Sequence, residues 1–210
     1  MIRYIEQALR STITGLSFVE RYGGEAYPVT VDIASEKGSI RKTMPVSNNL
    51  NDTACLETGR YSKLVPDSLY KSVCYLEEQG PASITYTGAK ANEITSRQRV
   101  RLVCWLNMKR LGYSDTLGTM RFAAEALNAI KGRRSFTVDN VSGELSITSA
   151  TIMEKDPQRI FAKYSYSDLS WAFFWPYDFF AVEFEAMVMV NAACFTPSEA
   201  QTATECLTTW

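Results

Sequence analysis

The sequence predicts an α+β fold, in which two helices pack on one face of a largely antiparallel sheet. The first observation is a two-residue alternation of apolar and polar residues at 97–109 and again at 181–195, which is typical of half-buried strands. The second is the helical spacing of apolar residues at 2–16 and 114–131. The third is the order of segments, since a helix, several strands, a second helix and further strands indicate this class.

The N-terminal helix is predicted from a single apolar stripe that ends near Gly15. The stripe consists of Ile2, Ile5, Leu9, Ile13 and Leu16. A strand at 27–34 follows a Gly23-Gly24 turn. The next segment, 35–61, is polar and lacks periodicity over more than twenty residues, which is unusual inside a compact domain. We expect it to be either a projecting loop or a long hairpin arm, and segments of this kind commonly contact partners.

The middle of the chain carries three predicted strands, at 71–77, 84–87 and 97–109. The last of these is the clearest. One side of it carries Val100, Leu102, Cys104, Leu106 and Met108, and the other side carries Arg97, Arg99, Arg101, Trp105 and Lys109, with Val103 as the exception. The segment is therefore predicted to be a strand with one apolar face toward a core.

The second half of the chain begins with a helix at 114–131, for which Ser114 is the predicted N-cap and Gly132 the stop. Strands are predicted at 136–139 and 144–153 around a turn at Gly143, and a long strand at 179–195. A short terminal helix is predicted at 198–206. Of the nine aromatic residues between Tyr164 and Phe180, most are expected in the core, with a subunit interface as the alternative.

Length and composition predict a single domain over residues 1–210, with enough apolar residues to bury a core. The net charge of −1 gives no basic excess for sequence-independent nucleic-acid binding. The five cysteines lack CxxC spacing, which favours folding in a reducing, intracellular compartment. No signal peptide and no membrane span are expected, because charged residues interrupt the candidate segments.

Histidine is absent from the sequence, which excludes Ser-His-Asp and Cys-His catalytic sites and histidine-based metal sites. Two carboxylate pairs remain as acid/base candidates, Glu183 with Glu185 and Glu77 with Glu78, but nothing in the sequence predicts a pocket that separates their pKa values. No glycine-rich phosphate loop is present. The sequence therefore predicts no catalytic, cofactor or metal site.

The two long strands carry complementary charges. If they are antiparallel neighbours, Arg99 and Arg101 on one strand form a cross-strand ladder with Glu183 and Glu185 on the other. The ladder is interpreted either as a solvated sheet face or as a surface that meets another subunit and fixes its register. The candidate subunit-interface residues are Arg97, Arg99, Arg101, Glu183, Glu185, Lys37, Arg41 and Lys42.

This order of elements resembles the tail terminator and neck proteins, which join head to tail in tailed bacteriophages. The likeness lies in the N-terminal helix, the early strand with its polar arm, the strand at 97–109, the helix at 114–131 and the final strand at 179–195. The Val65-Pro66-Asp67, Tyr166-Ser167-Asp168 and 176–181 stretches are similar to segments of tail-joining proteins in phages of Bacteroides-type hosts.

The resemblance implies a virion structural protein without catalytic residues or cofactor, assembled in the host cytoplasm. Six copies would form a ring that ends the tail tube, binds the tube and connector proteins, and lets genomic DNA pass through its lumen without sequence-specific contacts. At 210 residues the chain is larger than a minimal terminator. A tail-tube, stopper or baseplate protein is the first alternative, and a small carboxylate- or cysteine-dependent enzyme is the second.

Overall fold

Two fifteen-residue strands, β6 (Glu93–Asn107) and β9 (Tyr177–Asn191), pair along their whole length at the centre of the sheet. The structure is a computed structural model, and it describes residues 2–35, 38–47, 62–87, 93–115, 117–138, 140–154, 156–165 and 172–191. The alternating apolar and polar residues of both strands confirm the two strongest predictions from the sequence. Residues 192–195 of the predicted final strand and the predicted terminal helix at 198–206 lie outside the described residues.

The predicted helices and strands occur in the predicted order, together with two short elements that the sequence did not predict, a strand at 62–63 and a helix at 157–160. Apart from β6 and β9, the elements are α1 (Ile2–Thr14), β1 (Arg21–Ser35), β2 (Gly38–Ser47), β3 (Ser62–Lys63), β4 (Ser72–Glu78), β5 (Ser83–Thr87), α2 (Thr119–Ile130), β7 (Gly132–Val138), β8 (Val141–Glu154) and α3 (Pro157–Ile160). The strand order is β3-β2-β1-β4-β6-β9-β8-β7, and β5 pairs with β6 beyond the end of β4. Every described pairing is antiparallel except that of β1 with β4. The predicted α+β class with a largely antiparallel sheet is confirmed.

Helices α1 and α2 pack on one face of this sheet, as predicted. Their apolar stripes meet the alternate residues of β6 and β9 in one core cluster, which includes Leu9 and Ile13 from α1, Ala126 from α2, and Leu102 and Val182 from the two strands. Burying each leucine, isoleucine or valine side chain of this cluster contributes about 1.5–3 kcal/mol. The face of β6 with Val100, Leu102, Cys104, Leu106 and Met108 is fully covered.

The opposite face of the sheet is covered over half of its length, which the sequence did not predict. A second core cluster lies there, built around Trp105, which stacks on Phe161 with ring centroids 4.6 Å apart. Phe173 and Phe179 pack against the same two rings. The aromatic segment is thus core in part, while Phe174 and Trp175 remain 68% and 47% exposed. We call the two sides the helix face and the second face.

Strands β1 and β2 form a two-stranded ribbon of ten residue pairs, from Ala26 opposite Ser47 to Ser35 opposite Gly38. Of the two structures predicted for the polar arm, the hairpin is found for its first part, since residues 38–47 are a strand. Residues 48–61 lie outside the described residues.

Three local predictions were wrong. The Gly23-Gly24 turn is absent, because both glycines lie within β1, where the register against β4 shifts between Tyr22 and Glu25. Helix α2 begins at Thr119 rather than after Ser114, because residues before it form a turn in which the Asp115 carboxylate accepts a hydrogen bond from the Leu117 N–H. Gly143 lies within β8 rather than in a turn, and a Cβ on it would lie 2.5 Å from the Met189 carbonyl oxygen. The chain turns instead beside Asn140, whose φ of 65° is a left-handed conformation that asparagine tolerates.

Candidate functional site

The predicted charge ladder exists, because β6 and β9 are antiparallel neighbours. The register sets Arg99 directly opposite Glu185 and Arg101 directly opposite Glu183, all on the second face. Arg97 lies on the same face, opposite Met187. We call Arg101 with Glu183 the inner pair and Arg99 with Glu185 the outer pair, because the second core cluster reaches only the first of them.

The inner pair joins a buried arginine to a carboxylate whose side chain is 25% exposed. Arg101 is 5% exposed, and its Nη2 lies 3.1 Å from Glu183 Oε2. Its Nη1 donates to the carbonyl oxygens of Arg159 and Ile160, at 3.2 and 2.9 Å. These carbonyls end the single turn of α3, where a cation is favourable. Arg101 therefore attaches the segment after β8 to the centre of the sheet, and its interpretation as part of a solvated face was wrong.

A third charged group, Glu77, completes this buried network. Its side chain is opposite Arg101 on β4, with Oε2 3.9 Å from the Arg101 Nη1, and the residue is 1% exposed. Gln79 Nε2 donates to the same carboxylate oxygen at 3.0 Å. Burial raises the pKa of Glu77 above its ordinary value of 4.5. Glu78, its suggested partner as an acid/base pair, lies opposite Val100 and therefore on the other face of β4.

The outer pair lies beyond the second core cluster and borders an open cleft of about 420 Å³. Arg99 is exposed, and Glu185 is half-buried and accepts a hydrogen bond from Thr148 Oγ1 at 3.3 Å. The cleft also contains Arg159 and Asp156, so both signs of charge line it. Such mixed, shallow surroundings fit a solvated or subunit-facing surface better than a ligand pocket.

A second cleft, of about 380 Å³, lies where β1 separates from β4. We call it the acidic cleft; it is lined by Glu25, Ala26, Tyr27, Pro28, Glu77, Glu78, Gly80, Pro81, Lys163 and Tyr164. Three of these residues are acidic and one is basic. Lys163 Nζ donates to the backbone carbonyl of Glu78, and burial raises the pKa of Glu25 above 4.5. No sequence pattern indicates this cleft, because Glu25 approaches Glu78 only through the pairing of β1 with β4.

The remaining interface candidates lie away from the ladder. Arg41 and Lys42 are on β2, opposite Asp32 and Val31, and two strands separate β2 from β6 in the sheet. Lys37 lies outside the described residues. The structure therefore divides the seven described candidates into a sheet-centre group of five and a ribbon group of two.

Two cysteines have a defined environment. Cys74 and Cys104 lie directly opposite each other on β4 and β6, are free thiols and are buried in the core. Burial raises the pKa of Cys104 well above its ordinary value, which suppresses the reactive thiolate. The other three cysteines lie outside the described residues.

Within the described part of the chain, no group of three or more Cys, Asp or Glu side chains is arranged to hold a metal ion. The helices described there are all too short or too polar to cross a membrane. Neither a protein-family model nor a curated protein matches this sequence.

Proposed function

We propose that this protein is a virion structural protein of a tailed phage, which self-associates into a closed ring at the head–tail junction. The observation that supports this proposal best is the β1–β2 ribbon. From Tyr27 to Ser35, β1 pairs with no described strand other than β2, and β2 pairs with β3 only at Val46 and Ser47. Among the described strands, the outer edge of β1 is thus unpaired from Tyr27 to Ser35, and the outer edge of β2 is unpaired from Gly38 to Lys42.

A two-stranded ribbon of this length with unpaired backbone groups favours pairing with a strand of another subunit. Ten paired residues at about 3.3 Å per step extend about 30 Å. Isolated two-stranded hairpins are marginally stable in water, and their free N–H and C=O groups are templates for further strand pairing. The ribbon is attached to the rest of the chain at its middle, where Thr43, opposite Thr30, exchanges two hydrogen bonds with Ser165. Contact with another subunit would pair the backbone groups beyond that point.

The charged groups favour assembly over catalysis. Arg101 neutralises Glu183, and the Glu77 carboxylate is held by Gln79 and Arg101 with almost no exposed surface. A general acid or base must reach its substrate within hydrogen-bonding distance, which this arrangement prevents for Glu77. The buried thiols of Cys74 and Cys104 are poor nucleophiles for the same reason.

The specific role follows from the resemblance of the element order to tail terminators. In that role the ring would bind tail-tube and connector proteins through its two faces, and genomic DNA would pass through the lumen. A tail-tube, stopper or baseplate protein would use the same ribbon, so this alternative differs in how the subunits stack. An enzyme is the remaining alternative.

The test is the assembly state of the purified protein. Light scattering after size exclusion is expected to give one discrete oligomer, and negative-stain electron microscopy is expected to show single closed rings. Stacked tubes would instead favour the tail-tube alternative. A protein that stays monomeric at 100 µM would overturn self-association as its function.

The exposed cations of the second face allow a sharper test. Arg97→Glu with Arg99→Glu is expected to weaken assembly while leaving the monomer folded, because both side chains are exposed. Arg101 is unsuitable for this purpose, since its replacement by Glu would place an unpaired acid beside Glu77 and unfold the chain.

A further inference from the structure

Strand β5 is an edge strand without the features that usually protect edges. Its sequence, Ser-Ile-Thr-Tyr-Thr, contains no charge and no proline. Residues 83–86 are exposed, and no described strand pairs with the outer edge of β5. Natural edges are normally blocked by charge, proline or a bulge, and each of the other described edge strands carries a charge or a proline. These residues are Pro28 and Asp32 on β1, Arg41, Lys42 and Pro45 on β2, Lys63 on β3, and Arg133 and Arg134 on β7.

Backbone hydrogen bonds show which residues of β6 point toward β4 and β5. The Asn107 N–H donates to the Lys71 carbonyl, and the Gln79 N–H donates to the Arg99 carbonyl. Asn107 and Arg99 are odd-numbered residues of β6, and the backbone groups of successive residues point to opposite edges of a strand. The odd-numbered residues of β6 therefore bond toward the edge that β4 and β5 share.

Strand β5 consequently directs two of its residues outward. Ser83 and Thr85 lie opposite odd-numbered residues of β6 and bond inward, so the N–H and C=O groups of Ile84 and Tyr86 point to the outer edge. The side chains of Ile84 and Tyr86 are 64% and 60% exposed and lie on the helix face, whereas Thr85 lies on the second face. An added strand would therefore find four free backbone groups on β5.

The sequence of β5 is complementary to itself in an antiparallel pair. If Thr85 of one copy lies opposite Thr85 of a second copy, Ile84 lies opposite Tyr86 in both directions. These two pairs are the hydrogen-bonded ones, which gives four backbone hydrogen bonds, and the threonine pair lies between them. Isoleucine opposite tyrosine and threonine opposite threonine are side-chain pairs that stabilise antiparallel sheets. A second β5 therefore satisfies both the backbone and the side chains of the first.

The charges beside β5 suit the same arrangement. Arg97 lies opposite Ser83 at one end of β5, and Glu93 lies opposite Thr87 at the other end. In the antiparallel pair, Glu93 of one copy is in line with Arg97 of the other, about 14 Å away at the backbone, because three strand spacings separate them. The two Arg97 residues are about 20 Å apart, where exposed charges are largely screened at physiological salt. The long side chains at each end thus attract weakly and do not repel.

We propose that β5 of one copy of this chain pairs with β5 of a second copy across a two-fold axis at Thr85. The contact goes beyond the proposed function, because an isologous contact joins copies in pairs and does not itself close a ring. Each copy has one partner through it, so an assembly built with it contains an even number of copies. Only five residues pair on each side, so the contact is small and acts together with the one that closes the ring.

Disulfide trapping tests the register of this pair. Thr85→Cys places two thiols at a non-hydrogen-bonded pair, where the Cα atoms are about 4.5 Å apart and a disulfide can form. Ser83→Cys is the matched control, because it is also exposed and on the same face, yet its two Cα atoms would lie about 14 Å apart.

The measurement is the rate at which diamide produces a covalent dimer of two 23.6 kDa chains. Non-reducing electrophoresis gives the rate, peptide mass spectrometry identifies the link at position 85, and the wild type gives the background from the native cysteines. Thr85→Cys is expected to dimerise at least about tenfold faster than Ser83→Cys, because pairing holds its thiols together. Equal rates would overturn the contact.

Two further changes test strand pairing in the Thr85→Cys protein. Ile84→Pro removes an outward N–H but no bond to β6, and proline is tolerated at edges. It is expected to slow trapping by about thirtyfold, because two hydrogen bonds are lost per dimer. Tyr86→Lys adds the charge by which natural edges are blocked and is expected to slow trapping by about tenfold.

Leu117→Lys is the control for the added charge, because Leu117 is 83% exposed and lies near the N-terminus of α2, which contacts the opposite end of β9 through Thr119 and Asp178. It is expected to leave the trapping rate unchanged. Circular dichroism and urea unfolding of each reduced variant confirm folding. Undiminished trapping in both folded variants, Ile84→Pro and Tyr86→Lys, would overturn the pairing of β5.

Native mass spectrometry of the wild type distinguishes this contact from the ring. An even number of copies together with selective trapping at position 85 supports both proposals. Closed rings with an odd number of copies, or rings without selective trapping, overturn the two-fold contact and leave the proposed function standing. Selective trapping in a protein that forms no assembly larger than a dimer supports this contact and overturns the ring.

Discussion

Replacing Arg101 by methionine is expected to destabilise the fold far more than the same change at Arg99. Methionine retains the unbranched stem of the side chain but removes its charge. The loss comprises the 3.1 Å ion pair with Glu183, the hydrogen bonds to the Arg159 and Ile160 carbonyls, and the counter-charge of Glu77. Removing one partner of a buried pair costs about 3–5 kcal/mol.

The expected value lies in the lower half of that range. The Glu183 side chain is 25% exposed and can regain water, whereas Glu77 is 1% exposed and cannot. We therefore expect Arg101→Met to lower the free energy of unfolding by about 3–4 kcal/mol, which is a fall in Tm of about 6–16 °C for a domain of this size. Arg99→Met, at an exposed position on the same strand face, is expected to change it by less than about 0.5 kcal/mol.

Urea unfolding followed by tryptophan fluorescence measures both variants under the same conditions. A double variant, Glu77→Gln with Arg101→Met, removes the two most buried charges and is expected to recover at least half of the loss. The remaining cost is that of the carbonyl hydrogen bonds and of the ion pair with Glu183, whose side chain is 25% exposed. Equal stabilities of Arg101→Met and Arg99→Met within about 0.5 kcal/mol would refute the buried-network reasoning.

Three further predictions concern single groups. Burial raises the pKa of Glu77, so this carboxyl group stays protonated to a higher pH in the folded protein than in the unfolded chain. The stability that the bound proton provides is present below pH 4.5, and it is lost as the pH rises through the pKa of Glu77 in the folded protein. The free energy of unfolding of Glu77→Gln minus that of the wild type should therefore increase between about pH 4 and pH 7 in urea titrations, and a constant difference would contradict this. Gly143→Ala should destabilise by about 1–3 kcal/mol in the same assay, since its Cβ would meet the Met189 carbonyl at 2.5 Å, and an unchanged midpoint would count against that contact. Cys74 and Cys104 should react with an aromatic disulfide reagent only after unfolding, as read by mass spectrometry of native and denatured samples; a fast native reaction at either thiol would favour the enzyme alternative.

Much of the fold was predictable where one face of an element is apolar. The alternation in β6 and β9 sets which residues are buried, and the antiparallel pairing then sets Arg101 opposite Glu183. The apolar stripe of α1 likewise depends only on the sequence of the helix itself, and the bounds of α1 were predicted to within two residues. These elements are specified by their own sequences.

The wrong predictions concern positions whose local structure depends on contacts with segments that are distant in the sequence. Glycine is a residue type that is common in turns, yet Gly143 lies in β8, because the backbone of β9 approaches this position too closely for a side chain. Serine at position 114 is a residue type that favours helix N-caps, but a turn follows it and the helix begins only at Thr119. The burial of Trp105 on the second face depends on Phe161, which lies more than fifty residues away in sequence.

The same distant segment explains why the candidate site could be predicted only in part. The ladder of Arg99, Arg101, Glu183 and Glu185 has one alternating pattern, and nothing in that pattern distinguishes its two halves. The carbonyls that end α3 lie over Arg101 alone, so the inner pair becomes a structural attachment while the outer pair stays at the surface. Three uncovered features lie together near the end of β4, namely the outer pair, the outer edge of β5 and the acidic cleft. Because unpaired edges and uncovered charges meet at one end of the sheet, that end is where we expect a second subunit to bind.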